Sequence, residues 1–392
     1  MSAESLALID RIAHLSKQPK FTNDVDAQHQ VAQLSRELSM KLIAPEEAAN
    51  ELAYYPIYAF AARIAIDMKL FKLIAASQSS ISAANLANAT GSSEELIVRV
   101  LRVISALGFV QEVGENQWTA NSITHTMCRP EMQAAHIHKW DNCNGTMIKM
   151  PSYFKTNGYS TPKDPSNGPF QFAFNTNKNA FDYWHQNPSV AANFNTFMKG
   201  KRASRPSWAD WWPVESLIFR AMELDTNRCL LVDVGGGRGH DVQSFKDKFP
   251  NRGRLVVEDL PAVIDDIKEL DNDIERVKYD FFTPQPVEGA RIYFFGMIFH
   301  DWSDEFCLKI LSQTVPAMKK GYSKLLIDDA FLPTQGCPAV LGALDLAMMA
   351  MHAGKERTES QWKALLEKAG LTVNRFWSYK GGAAGIIEAE LK

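Results

Sequence analysis

Residues 230–241 read LLVDVGGGRGHD. An apolar run broken by one carboxylate, Asp233, stops at Gly235, Gly236 and Gly237; after Arg238 a fourth glycine, Gly239, precedes His240. A short apolar run reads as a strand buried on both faces, and glycines let the following backbone turn tightly or lie against another molecule. Downstream, strand-like RLVVEDL (254–260), IERVKYDFF (274–282), ARIYFFGMIFH (290–300) and KLLIDDAFL (324–332) alternate with helix-like DVQSFKDKFP, AVIDDIKEL, DEFCLKILSQTVPAM and ESQWKALLEKAG. Such alternation predicts an α/β, Rossmann-like domain over residues 211–392 with a mostly parallel sheet, and places the glycine loop at the carboxyl end of its first strand.

Upstream the pattern is different. LALIDRIAHL, VAQLSRELSMKLI and AFAARIAIDMKLFKLIA have helical apolar spacing, and residues 80–121 give a short helix, a turn at Thr90-Gly91, a second helix and a hairpin. That is a winged-helix pattern. Its second helix offers Arg99 and Arg102 against Glu94 and Glu95, too few cations for a DNA-recognition helix. Residues 1–130 are therefore expected to form a mostly α region that uses the winged helix structurally, and 131–210, rich in aromatics, Asn and Met, a helical connector to the α/β domain.

Composition narrows the classes further. A net charge of −3 gives no global field for nucleic acid or an anionic membrane. The five cysteines, at 128, 143, 229, 307 and 337, lack CxxC spacing, which suits a reducing compartment and predicts neither disulfides nor a metal site. No signal-peptide core opens the chain and no run approaches the roughly 18 apolar residues of a membrane span. A cytoplasmic protein with a small-molecule ligand is expected.

Asp233 narrows that ligand. A carboxylate just before the glycines repels a pyrophosphate and attracts an ammonium group, so the loop suits a nucleoside that carries an amino acid. S-adenosylmethionine has that form, with its methionine end on Gly235 and Gly237 and its ribose hydroxyls at the acid closing the second strand, Asp259, followed by Leu260; Glu258 is the other candidate. His300 and Asp301 follow the fourth strand on the same sheet edge, where an imidazole can accept a proton near neutral pH.

With VDVGGGRG, DLPAVI, YDFF, HDWSDE and GKERT in that order, residues from about 45 to 390 resemble the caffeic-acid-type small-molecule O-methyltransferases, and more closely their fungal relatives. The resemblance implies a class I fold with a seven-stranded sheet and a homodimer built through the N-terminal region. It also implies that His300 is the general base and that Asp329 and Glu356 orient it. By the same likeness Asp280 and Phe281 contact the adenine, and Trp302 walls the cofactor pocket. Two positions depart from the pattern. Gly296 stands where many plant members have a lysine that helps hold the cofactor, and Asp329 stands where a glutamate is usual.

The acceptor pocket is expected from FDYWHQNPSVAANFNTFM and LDLAMMAMHAG, with Phe181, Trp184, Phe197, Met198, Met348 and Met349 as candidate contacts and His138 as a polar group in the same region. These predict a large, flat, apolar acceptor, such as a polyketide, alkaloid or phenol, methylated on a hydroxyl. An alternative stands beside this. Some fungal members of the fold retain S-adenosylmethionine without consuming its methyl group and act as pericyclases or dehydratases, a chemistry that His138 could also serve.

Overall fold

A computed structural model describes residues 2–203, 205–220, 228–379 and 384–392. The chain divides into two compact units, Met1–Cys128 and Arg129–Lys392.

In the first unit, helices Ala3–Ser16, Val25–Leu42, Pro45–Asp67 and Leu70–Ala76 precede a small winged-helix element. Strand β1 (Ile81–Ser82) leads into helix Ala83–Thr90, capped by the Ser82 side chain and stopped by Gly91 at φ +69°. Helix Glu94–Ala106 follows, with Ser93 as its N-cap; it buries Ile97, Val100, Leu101 and Ile104 on one stripe. Strands β2 (Gln111–Gly114) and β3 (Gln117–Thr119) close the three-stranded sheet in the order β1-β3-β2, with Trp118 buried beneath it.

The second unit is organised on strands β4 (Cys229–Val234), β5 (Arg254–Asp259), β6 (Ile274–Lys278), β7 (Ile292–Gly296), β8 (Lys324–Leu332), β9 (Arg357–Thr358), β10 (Leu371–Ser378) and β11 (Ala384–Leu391). Their order is β10-β11-β8-β7-β4-β5-β6. β4 to β8 run parallel and β11 is antiparallel to both its neighbours, β8 and β10, so that β10 runs with the rest, while short β9 adds an eighth strand beside β8, outside the seven-strand path. Every residue of β4 and β7 is buried, because helices cover both faces and a two-sided strand has no polar side to show. Alternation then divides the core. Val232, Tyr293, Phe295 and Ile327 pack on one face with Trp362, whereas Leu231, Phe294 and Leu326 pack on the other with Trp208 and Phe245.

The chain runs outward from β4 through β5 to β6, then restarts at β7 on the other side of β4. That reversal opens a crevice at the carboxyl ends of β4 and β7. The connector helices lie in the same unit. Gly200 lets helix Pro188–Ala203 close on helix Pro130–His138, since a Cβ there would lie 2.2 Å from Cβ of Glu131.

Candidate functional site

The loop after β4 is held by backbone. The amides of Gly235 and Gly236 donate to the Glu258 carbonyl at 2.8 and 3.0 Å, fastening the loop to the end of β5. Gly235, Gly237 and Gly239 all have φ between +60° and +78°, where a side chain costs conformational energy. Gly236 is required on contact grounds as well. A Cβ there would lie 2.6 Å from Cγ of Asp233 and 2.8 Å from Cγ2 of Val257. Asp233 therefore lies directly under the loop. Its two oxygens are buried and make no hydrogen bond of normal geometry among the described residues, although the Val242 amide lies toward them. Burial pushes the Asp233 pKa up to about 6 against the pull of Arg202.

The two acids at the end of β5 part company, as neighbours on a strand must. Glu258 is fully buried, accepts from Gln285 Nε2 at 2.9 Å and is pushed up to about 7 by burial. Asp259 turns to the loop, where its carboxylate accepts from the amides of Gly237 at 2.8 Å and Leu260 at 2.7 Å. Burial lifts its pKa above the usual range. Phe281 stands over the loop, its Cε1 3.6 Å from where a Gly235 Cβ would be. Trp302 packs edge-on to Phe281 and Phe282, at 5.8 and 4.9 Å between centroids, and joins the sheet core. Asp280 is exposed and accepts from the Phe282 amide; Leu260 is exposed beside Asp259.

His300 comes from the turn after β7. Met297, at φ +58°, donates its amide to the Asp328 carbonyl at 2.8 Å, and the chain then enters the short 3₁₀ turn Phe299–Asp301. Nδ1 of His300 lies 2.9 Å from Oε1 of Glu356 and 3.4 Å from Oδ1 of Asp329, and its amide donates to Oδ2 of Asp329 at 3.2 Å. Oδ1 of Asp301 is 3.7 Å from Nε2. Burial disfavours the imidazolium, but Asp329, Asp301 and Glu356 outweigh it and push the His300 pKa up to about 9. Asp329, buried beside them, is raised to about 6. His300, Asp329 and Glu356 also bring one ligand atom each within 4.8 Å of the others, a set able to take a divalent ion.

The GKERT segment straps this turn. The Lys355 amide donates to the His300 carbonyl at 3.0 Å, and a Cβ on Gly354 would lie 2.2 Å from that same oxygen. Fully buried Arg357 donates to the carbonyls of Phe299 at 3.0 Å and Trp302 at 2.8 Å and to Asp304 at 2.9 Å.

Beyond Asp301 an aromatic wall begins. His352 Nε2 lies 3.7 Å from Oδ1 of Asp301, and its ring stacks on Phe181 at 4.7 Å. Burial holds His352 below the ordinary histidine pKa. Trp184 meets His352 at 5.6 Å and His138 at 4.8 Å, both edge-on. His138 is buried among Trp184, Phe194 and Phe197, and burial depresses its pKa to about 3, so it is neutral. Trp184 and Met348 belong to a buried cluster; Phe181, Phe197, Met198 and Met349 are half-buried.

Three polar groups near this region escaped the sequence reading: His352, Lys201 and Arg202. Lys201 is pushed down to about 8 by burial, with Lys139 and Arg205 adding to that and Glu356 and Asp301 opposing it. The one sequence signal was the basic run Lys199–Arg202 at a helix end, which resembles any solvated terminus.

The loop and its surroundings fit S-adenosylmethionine. A Cβ would fill the cradle, Asp233 offers buried acceptors beneath it, and Asp259 edges it. Residues 163–372 match the O-methyltransferase domain, and residues 51–129 the O-methyltransferase dimerisation domain. The O-methyltransferase penC of Penicillium thymicola is 40% identical over 98% of this chain and 97% of its own. A solved structure of LepI in complex with S-adenosylmethionine superposes with a TM-score of 0.88 at 30% identity, covering 100% of both chains. Another, described as a pericyclic reaction enzyme, gives 0.87 at 29%, also over the whole of both. With a family domain spanning more than half its length and whole-chain relatives of this identity, the protein is a member of the S-adenosylmethionine-dependent O-methyltransferase family, carrying that family's dimerisation domain.

Proposed function

We propose that the protein methylates a hydroxyl of an aromatic, polyketide or alkaloid fungal metabolite, with His300 as general base. The observation that carries this reading is the 2.9 Å contact between His300 Nδ1 and Glu356, on the sheet edge that also carries the glycine loop. When bound, S-adenosylmethionine supplies an electrophilic methyl group on a sulfonium centre. Glycines 235–237, Asp233 and Asp259 hold it, with Phe281 and Asp280 toward the adenine. Glu356 and Asp329 fix the imidazole through Nδ1, which leaves Nε2 to take the proton of the acceptor hydroxyl as its oxygen becomes nucleophilic. Half-buried Phe181 and Phe197, with the His352 ring stacked on Phe181, present an apolar surface on the acceptor side.

The dimerisation domain supports a homodimer. Helix Pro45–Asp67 exposes Leu52, Tyr54, Tyr55 and Ile57 around its middle turns, apolar area that a second copy would cover. Sedimentation should give twice the monomer mass.

The pericyclase reading is favoured by one kind of observation: solved structures described as LepI and as a pericyclic reaction enzyme superpose on the whole chain. Neutral His138 and His352 can donate hydrogen bonds to a carbonyl. One experiment separates the two. The purified protein is incubated with methyl-labelled S-adenosylmethionine and a fungal metabolite extract, and every changed mass is recorded. A metabolite gaining one methyl together with S-adenosylhomocysteine supports methyl transfer. Isomerised or dehydrated metabolites with intact cofactor refute it.

A further inference from the structure

His352 has no share in the proton transfer, and a buried imidazole is costly unless its nitrogens are used. It closes helix Ala339–His352 and is only 5% exposed. Among the described residues neither ring nitrogen makes a hydrogen bond. Its polar neighbour is Asp301, with Oδ1 3.7 Å from Nε2, beyond the hydrogen-bond limit of about 3.2 Å.

The ring is nevertheless held still. Phe181 stacks on it at 4.7 Å and 21°, and Trp184 meets it edge-on at 5.6 Å and 88°. The chain then turns at Ala353, φ +55°, and comes back to the base. There the Gly354 amide donates to the Met348 carbonyl at 3.3 Å and the Lys355 amide to the His300 carbonyl at 3.0 Å, so His352 keeps a fixed offset from His300. The Asp301 oxygen that neighbours His352 also lies 3.7 Å from Nε2 of His300. One carboxylate oxygen is flanked by two imidazole nitrogens, and neither separation is a hydrogen bond. A carboxylate only accepts, so beside it the neutral His352 ring keeps its proton on Nε2.

We propose that His352 is a recognition residue for the acceptor: its Nε2–H hydrogen-bonds a second oxygen that neighbours the hydroxyl facing His300. Two oxygens on adjacent carbons are separated by roughly one hydrogen-bond length, about 2.8 Å, so both can reach nitrogens that share a neighbour. Where the second oxygen is a hydroxyl, Asp301 accepts the hydrogen bond that it donates. An apolar wall hardly tells one flat ring from another, whereas a buried donor left without a partner discriminates against the acceptor that lacks it. The enzyme therefore selects acceptors with paired oxygens and disfavours an isolated hydroxyl. This assignment rests on His300 being the base that faces the acceptor.

2-Naphthol and 2,3-dihydroxynaphthalene differ only in that second oxygen, and calorimetry with the protein saturated in S-adenosylhomocysteine reads their affinities without turnover. Wild type should bind the diol about tenfold tighter, the effect of one hydrogen bond between neutral groups. His352→Phe keeps the stack on Phe181 and removes the donor, so the ratio should fall to within about twofold, while His352→Gln keeps an N–H and should retain part of it. Because both probes are titrated into the same preparation, misfolding or a looser wall lowers both affinities and leaves their ratio. A wild-type ratio near one, no binding of either probe, or a ratio unchanged in His352→Phe would overturn the assignment. His300 meets only the hydroxyl that the probes share, so His300→Ala should preserve the ratio. Turnover of that variant decides the base and the ratio decides His352, so the two readings fail separately.

Discussion

Oε1 of Glu356 sits 2.9 Å from Nδ1 of His300, although 56 residues separate them in the chain. In the proposed mechanism the contact occupies Nδ1 and leaves Nε2 to face the acceptor. Glu356→Gln keeps the shape and removes the charge. It should lower kcat by roughly 10²- to 10⁴-fold while S-adenosylhomocysteine binds as before. His300→Ala should stop methyl transfer with the same binding intact. A His300→Ala protein with full turnover would remove the base from the mechanism.

The His300 pKa of about 9 leaves the ligand-free imidazole mostly protonated at neutral pH, so the basic form grows as pH rises. A cation in the cleft would push the same group down again. Because kcat/KM reports the free enzyme, it should climb through pH 8 to about 9 instead of levelling near the ordinary histidine value of about 6.5. Asp329→Asn removes a carboxylate that favours the imidazolium, so the pKa falls and the rising limb moves to lower pH. Profiles of the two proteins decide it, and a limb that stays put or moves upward contradicts the assignment.

Gly236 and Gly237 should respond differently to one methyl group. At 236 the Cβ meets Asp233 at 2.6 Å, so Gly236→Ala must displace the loop, at a cost of about 1–3 kcal/mol together with weaker S-adenosylhomocysteine binding. At 237 nothing lies within 4 Å, and the cost is the left-handed backbone alone, about 1–2 kcal/mol. Urea unfolding gives the stabilities and calorimetry the affinities. Equal affinities in the two variants would mean that the loop's seat on Asp233 is irrelevant to the ligand.

Arg357 carries no proposed chemistry, yet it satisfies the carbonyls of Phe299 and Trp302 on either side of His300. Arg357→Met removes the guanidinium's bonds to both buried carbonyls, while half-exposed Asp304 keeps Lys355 at 2.8 Å and the Phe299 carbonyl keeps the Trp302 amide, with an expected loss of about 2–3 kcal/mol in denaturant unfolding. Arg357→Lys should recover only part, since one ammonium cannot span both carbonyls and the carboxylate. Full recovery by lysine would show that charge, and not the fork, holds the turn.

Much of this was legible from the chain because it is local. A buried parallel strand is apolar on both sides, and a loop that must hug a ligand is glycine-rich, so LLVDVGGGRGHD announces both. The positions of Asp259 and His300 were legible for a similar reason, the first closing a recognisable strand and the second in the turn that follows one. Trp184 and Met348 show the limit. The sequence offers them as acceptor contacts and they pack in a buried cluster of the connector, because helical spacing of large apolar residues looks the same whether they face a ligand or one another.

The sequence by itself determined the elements, their order and the residue types at each strand end, because these depend on contacts within a few positions. Only the tertiary structure decided which distant groups share a site. It set Glu356 against His300, turned Asp259 to the loop and Glu258 away from it, and brought Arg202 across 94 residues to Gly296. Charges meet where the packing of helices on a twisted sheet puts them, and that packing is a property of the whole core, written in no single segment.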